Sequence, residues 1–311
     1  MGRSIPRLPL VDDLQAVRQL PTGCRAGSHR LAASQSLDEL IRVIEENIST
    51  FDNHNLCSAI LSLSRHQLDR NSPARQEQLQ GRLLEKARQR SHSLSGQELA
   101  GILRCVARQQ GVDDSIYALG RRAACIAAEL TSGDLATVLD VLSKLLTSRL
   151  ADLKEVFEVL AQEVIRQAER LDPQDLAMVL HAYSKLPRNE LGRHEGVFAA
   201  LAPIIALRAG ELECKGLALA LSAYSKLPME QLARHEQVFS ALAPHVATRA
   251  GELKPQELAM VLSAYSKLPM DQIAKHEQVF RALAPHAACK GDQFKAQELS
   301  MVLNAYSKLP S

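Results

Sequence analysis

Tryptophan is absent from this 311-residue chain, and aromatic residues make up only 4% of it. A β-sandwich packs its strands with aromatic and β-branched side chains. Their scarcity, beside abundant Ala and Leu, favours close-packed helices. Charge of one sign is lacking too: 37 basic residues stand against 35 acidic ones, a formal net charge of +2. Bulk charge therefore admits a polyanion partner without demanding one. No apolar run is long enough to cross a bilayer. The longest, Phe198 to Leu207, is far short of the ~18 residues needed and is interrupted by Pro203, so a soluble chain is expected. The six cysteines (Cys24, Cys57, Cys105, Cys125, Cys214, Cys289) form no CxxC pair and read as reduced, mostly buried small side chains. Asn47-Ile48-Ser49 matches the glycosylation triplet by chance, since it lies in an amphipathic helical pattern without a secretory signal. The 46% hydrophobic and 23% charged fractions exclude wholesale disorder.

Catalytic signatures are missing as well. His194-Glu195 opens like H-E-x-x-H, but Phe198 stands where the second zinc ligand belongs, and every copy of the dipeptide fails in the same way. There is no G-x-S-x-G, phosphate loop or dinucleotide fingerprint. The expectation is a non-enzyme with no catalytic residues, metal or cofactor.

What the chain does have is repetition. The string AYSKLP occurs four times, with its tyrosine at Tyr183, Tyr224, Tyr265 and Tyr306, each 41 residues after the last. The flanks repeat too: PQDLAMVLHAYSKLP, PQELAMVLSAYSKLP and AQELSMVLNAYSKLP. Weaker copies run toward the N-terminus, with Leu142, Val106 and Leu63 in the tyrosine position, giving about seven in all.

Each copy reads as two helices. Leu176, Val179, Leu180 and Tyr183 form an apolar stripe on the first. Asp172-Pro173-Gln174-Asp175 supplies a cap, a proline at the first position and an acid at the third, while Ser95 with Glu98 and Ser36 with Glu39 form capping boxes. Pro187, Pro228 and Pro269 stop the first helix. His-Glu dipeptides open the second, with the carboxylate near its positive end, and Gly210, Gly251 and Gly291 read as its C-terminal stops. Pro203, Pro244 and Pro285 fall inside it, where the older copy has Gln162, so a kinked second helix is expected, with a split into two short ones as the alternative.

A two-helix unit of this size cannot bury its stripe alone, and stacking such units makes an all-α solenoid of 41-residue period. The organisation expected is a basic leader or disordered tail over 1–35, which also suits a transit peptide. A covering helix follows over 36–51, then degenerate repeats over 52–172 and near-identical repeats over 173–311, the last incomplete. Its bare end implies either a truncated chain or a face covered by something else.

The copies can be read against one another. The tyrosine position accepts Leu and Val, which marks it as core. Two residues later every copy carries a cation: Arg65, Arg108, Lys144, Lys185, Lys226, Lys267 and Lys308. Stacked helices about 9–10 Å apart would align these into a row able to track a phosphate backbone. The same residues also fit a plain helix-dipole role in the last turn, worth about 0.3–1 kcal/mol each. Two residues before the tyrosine the copies diverge (Leu61, Arg104, Asp140, His181, Ser222, Ser263, Asn304), and nearer the helix start stand His54, Gln97, Gly133, Gln174, Lys215, Gln256 and Gln297. Of these, Gln174, His181, Lys215, Ser222, Gln256, Ser263, Gln297 and Asn304 are the base-facing candidates. A variable polar face of this kind fits modular base reading, and equally a solvated face that drifts.

The motif QELAMVLSAYSKLP followed by HEQVFSALAP resembles the octotricopeptide and heptatricopeptide helical repeats. These are relatives of the pentatricopeptide proteins, found with RAP domains and in FAST-kinase-like proteins. The resemblance covers about 52–311 and is strong from 173 onward, although the 41-residue period exceeds the nominal length of those families and no RAP-like domain is present. It implies a mitochondrial protein, or alternatively a plastid or cytoplasmic one, that binds single-stranded RNA along the concave face of the solenoid. The implied roles are transcript processing, mRNA stability, translation or ribosome assembly, with ribonucleoprotein or ribosomal proteins as further partners. The competing reading is a protein–protein scaffold of the HEAT or armadillo type.

Overall fold

The computed structural model describes residues 37–65, 73–106 and 113–309. The capping serine Ser36, the leader and Arg108 lie outside them. All regular structure among the described residues is helical, and consecutive helices pack as neighbours in an α-solenoid.

The chain divides into two compact units, Met1–Arg122 and Ala123–Ser311. In the first, α1 (Leu37–Asn47), α2 (Asn53–Arg65) and α3 (Pro73–Gln89) pack together, and α4 (Gly96–Val106) packs on α2. Ser95 and Glu98 form the expected capping box at the head of α4. Helix α5 (Asp113–Cys125) carries the boundary.

The second unit is the regular part. Its first helices are α6 (Ser132–Leu142), α8 (Pro173–Tyr183), α11 (Cys214–Tyr224), α14 (Pro255–Tyr265) and α17 (Ala296–Tyr306), each packed on the next. Its second helices are α7 (Leu146–Arg166), α10 (Glu195–Leu207), α13 (Glu236–Thr248) and α16 (Glu277–Cys289), stacked in a parallel layer. Short helices α9 (Arg188–Leu191), α12 (Met229–Arg234) and α15 (Met270–Lys275) link the two layers. Local chemistry sets the starts: Thr131 accepts from the Asp134 amide at 3.2 Å and Asp172 from the Asp175 amide at 2.7 Å. Each such cap is worth about 1 kcal/mol. The stripe Leu176, Val179, Leu180 and Tyr183 is fully buried, as are its copies Leu217, Leu221 and Tyr224.

The second helix departs from expectation in two respects. First, its break lies at the histidine rather than at the proline. His194, His235 and His276 leave helical geometry (φ −95 to −105°, ψ 15 to 18°), whereas the matching Leu153 sits inside the unbroken α7. Helices α10, α13 and α16 run on through Pro203, Pro244 and Pro285. Those prolines are exposed, as are Ala199, Ser240 and Arg281 four residues earlier, so each carbonyl left without its N–H partner is on the watered side. Second, no described glycine has a left-handed φ, so the glycines do not act as left-handed helix stops. A Cβ on Gly210 would stand 3.3 Å from Cε1 of His245, and one on Gly251 3.3 Å from Cε1 of His286. Glycine there lets the histidine of the next repeat come close without having to give way.

Candidate nucleic-acid interface

The AYSKLP string places three side chains for three different tasks. The tyrosine points inward. Its hydroxyl donates to a carbonyl of the preceding second helix: Tyr183 to Phe157 at 3.0 Å, Tyr224 to Phe198 at 2.8 Å, Tyr265 to Phe239 at 2.8 Å and Tyr306 to Phe280 at 3.0 Å. The Phe ring stands edge-on against it, and His194, His235 or His276 covers its other side at 5.2–5.3 Å. This ring is a repeat-to-repeat lock and is closed to a base.

The serine and lysine that follow build a second link along the outside. Lys185 Nζ donates to Ser143 Oγ at 3.0 Å, Lys226 to Ser184 Oγ at 3.3 Å, and Lys308 to the Ser266 carbonyl at 3.4 Å. The lysines that follow α8, α11, α14 and α17 thus recur as one ladder, and Lys185, Lys226 and Lys308 each rest on the repeat before. Lys144 begins the ladder, paired with Asp140 at 3.0 Å. Beyond it, among the described residues, no carboxylate lies within 4 Å of Lys185, Lys226, Lys267 or Lys308. Burial, followed by the charges of Lys267 and Lys185, holds the Lys226 ammonium below its ordinary range; burial, then Lys308 and Arg188, does the same for Lys267. Lys185 is lowered by burial and by Lys144, with Asp140 opposing.

Several other recurrent cations of this unit are occupied. Arg208 pairs with Glu211 at 2.9 Å and donates to the Leu171 carbonyl, and Arg249 repeats this with Glu252 at 3.4 Å and Leu212. Arg234 meets Glu195 at 3.1 Å, and Lys154 meets Glu190 at 3.2 Å. Lys185, Lys226, Lys267 and Lys308 differ from these pairs in having, among the described residues, no carboxylate within 4 Å.

Arg65 closes α2 in the first unit. The base-facing candidates divide by depth. Gln174, Lys215, Gln256 and Gln297 are exposed in the first turns of α8, α11, α14 and α17; His181 and Ser222 are half-buried, Asn304 is exposed, and Ser263 is buried at 8% exposure. His181, one turn before Lys185, is pushed down to about 4 by burial and by Lys185 and Lys226, so it is a neutral imidazole beside the ladder.

Sequence reasoning missed what lies next to the lysines. A groove of about 660 Å³ runs along the turns between first and second helices, with Leu227, Leu232, Leu268 and Ile273 in its floor and Lys226, Lys267, Lys308 and Arg188 around it. Met229 and Met270 stand in it at 51% and 60% exposure. Their signal was a methionine after the proline, repeated at the 41-residue period.

The family model of the RNA-editing substrate-binding complex 6 protein matches residues 127–310, more than half of the chain. The chain belongs to that family. No curated protein matches it. Membership in the RNA-editing substrate-binding complex 6 family makes this an RNA-associated helical protein, in line with the broad expectation. The match does not single out the octotricopeptide, heptatricopeptide or RAP grouping that the repeat motif resembles. The match begins within a few residues of the second unit and covers the whole ladder from Lys144 to Lys308.

Proposed function

We propose that the chain is a non-enzymatic RNA-holding subunit of an RNA-editing substrate-binding complex, working in the mitochondrion on transcripts that are being processed. The observation that carries this reading is the ladder of Lys185, Lys226, Lys267 and Lys308, which repel one another and have no carboxylate partner. Mutually repelling cations with no carboxylate in contact favour an anion, and a polymer with evenly repeated charge answers a ladder better than any single ion. The family supports RNA as that polymer and other proteins of a complex as neighbours. The mitochondrion is what the repeat resemblance implies, and a role in RNA editing is compatible with it.

The test is a salt titration of binding to a mixed-sequence single-stranded RNA, with wild type beside a Lys185→Gln, Lys226→Gln, Lys267→Gln triple variant. Each phosphate contact on a single strand contributes about 0.7 to the slope of log K against log salt. The triple variant should lose about two units of slope and bind at least ten-fold more weakly at moderate salt. Equal slopes in the two proteins would overturn the phosphate assignment.

A further inference from the structure

A phosphate ladder alone needs only charge, yet the groove beside this one has an apolar floor. Leu227, Leu232, Leu268 and Ile273 lie beneath it, and the thioethers of Met229 and Met270 rise from it, half-exposed, next to Lys226 and Lys267. The set is periodic: serine, lysine, leucine and methionine recur in the same order at Ser225 to Met229 and at Ser266 to Met270. An occupant that satisfies such a surface must itself repeat, offering one charged and one flat apolar group per step.

We infer that this groove is a nucleobase-binding site, in which bases of single-stranded RNA lie on the Met229 and Met270 side chains while their phosphates meet Lys226, Lys267 and Lys308. This rests on the RNA reading above and goes beyond it, because it moves base contact from the face of the first helices to the turns that follow them. Charge complementarity selects the polyanion. The apolar floor selects among polyanions, since a duplex hides its base faces in the stack and presents phosphates outside, whereas an unpaired strand can splay its bases. Polarizable thioethers make favourable contacts with aromatic rings, and unbranched methionine adapts to any base. The groove therefore separates unpaired from paired RNA and is tolerant of base identity.

Binding of one labelled RNA should be measured as a single strand and as its perfect duplex, with heparin as a polyanion that has no bases. Wild type should prefer the single strand over the duplex by roughly ten-fold or more at equal salt. A Met229→Ser, Met270→Ser variant should lose about ten-fold for the single strand, keep its salt slope, and bind heparin as before. Both methionines are exposed, so its melting temperature should match wild type. Equal single-strand and duplex affinity, with the methionine variant unchanged while the lysine variant weakens, overturns the base site and leaves the phosphate ladder standing. If wild type binds no RNA and instead takes up an acidic amphipathic peptide, both readings fall together.

Discussion

Tyr224 is held from three sides: the Phe198 ring edge-on at 5.3 Å, the His235 ring at 5.3 Å, and the Phe198 carbonyl at 2.8 Å from its hydroxyl. The ring supplies buried area, and the hydroxyl supplies direction, since a hydrogen bond fixes where along the preceding second helix the ring docks. Removing only the hydroxyl leaves the packing, and the carbonyl keeps its own helical partner, so what is lost is the net worth of one buried bond. Tyr224→Phe should therefore cost about 0.5–1.5 kcal/mol in urea unfolding, with the slope of the transition unchanged. A variant as stable as wild type would show that the shape of the ring alone registers the repeats. The degenerate copies, with Leu142 in this position, dock with shape alone, which is how the copies could be compared to assign the tyrosine to the core.

At the scale of elements, the glycines after the second helices test whether neighbouring repeats touch as closely as the structure has them. Gly251 and Gly291 both follow a second helix, Gly291 one position earlier in its repeat, where the preceding copy has Ala250; a Cβ on Gly251 meets His286 at 3.3 Å and one on Gly291 meets nothing within 4 Å. Gly291→Ala should stabilise by about 0.4–1 kcal/mol through the unfolded chain. Gly251→Ala should fall short of it by at least about 0.5 kcal/mol, because His286 must give way. Thermal melts of the two variants side by side decide this, and equal gains would mean that the contact yields freely. Much of the fold was legible before any coordinates. Caps at Asp172 and Ser95, the buried stripes and the stacking of first helices followed from periodicity and local chemistry. The break at His194, His235 and His276 was not legible, because a histidine carries no helix-breaking signal of its own and leaves the helix only to cover a tyrosine ring. The lysine ladder could be expected from a period and a helix rise. The groove could not, since its floor is assembled from three separate turns that become neighbours only when the repeats stack.

Across the molecule, the same buried histidine recurs in successive repeats, so a small local effect adds up. Burial holds His194, His235 and His276 below their ordinary value, against Glu158 and Glu190, Glu195, and Glu236 respectively, which pull the other way; His181 is down to about 4. A group depressed in the folded state takes its proton first in the unfolded state. Below the ordinary histidine value of about 6.5, the unfolded chain therefore binds more protons than the folded one, and stability falls with pH. For His181 that loss continues down to about pH 4. The melting temperature should drop steadily from about pH 7 to pH 5, and His235→Gln should flatten the drop. A flat profile in the parent protein over that range would show that these rings are not buried as neutral imidazoles.

The links between repeats are fixed offsets along the chain: 26 residues from tyrosine hydroxyl to carbonyl, 42 from lysine to serine. Cutting at one AYSKLP and rejoining at another, as unequal recombination between identical stretches does, preserves every offset. The descendants of such an event are one repeat longer or shorter, and each still closes all of its links. Length in this molecule is thus inherited in whole steps, and every step carries one more lysine.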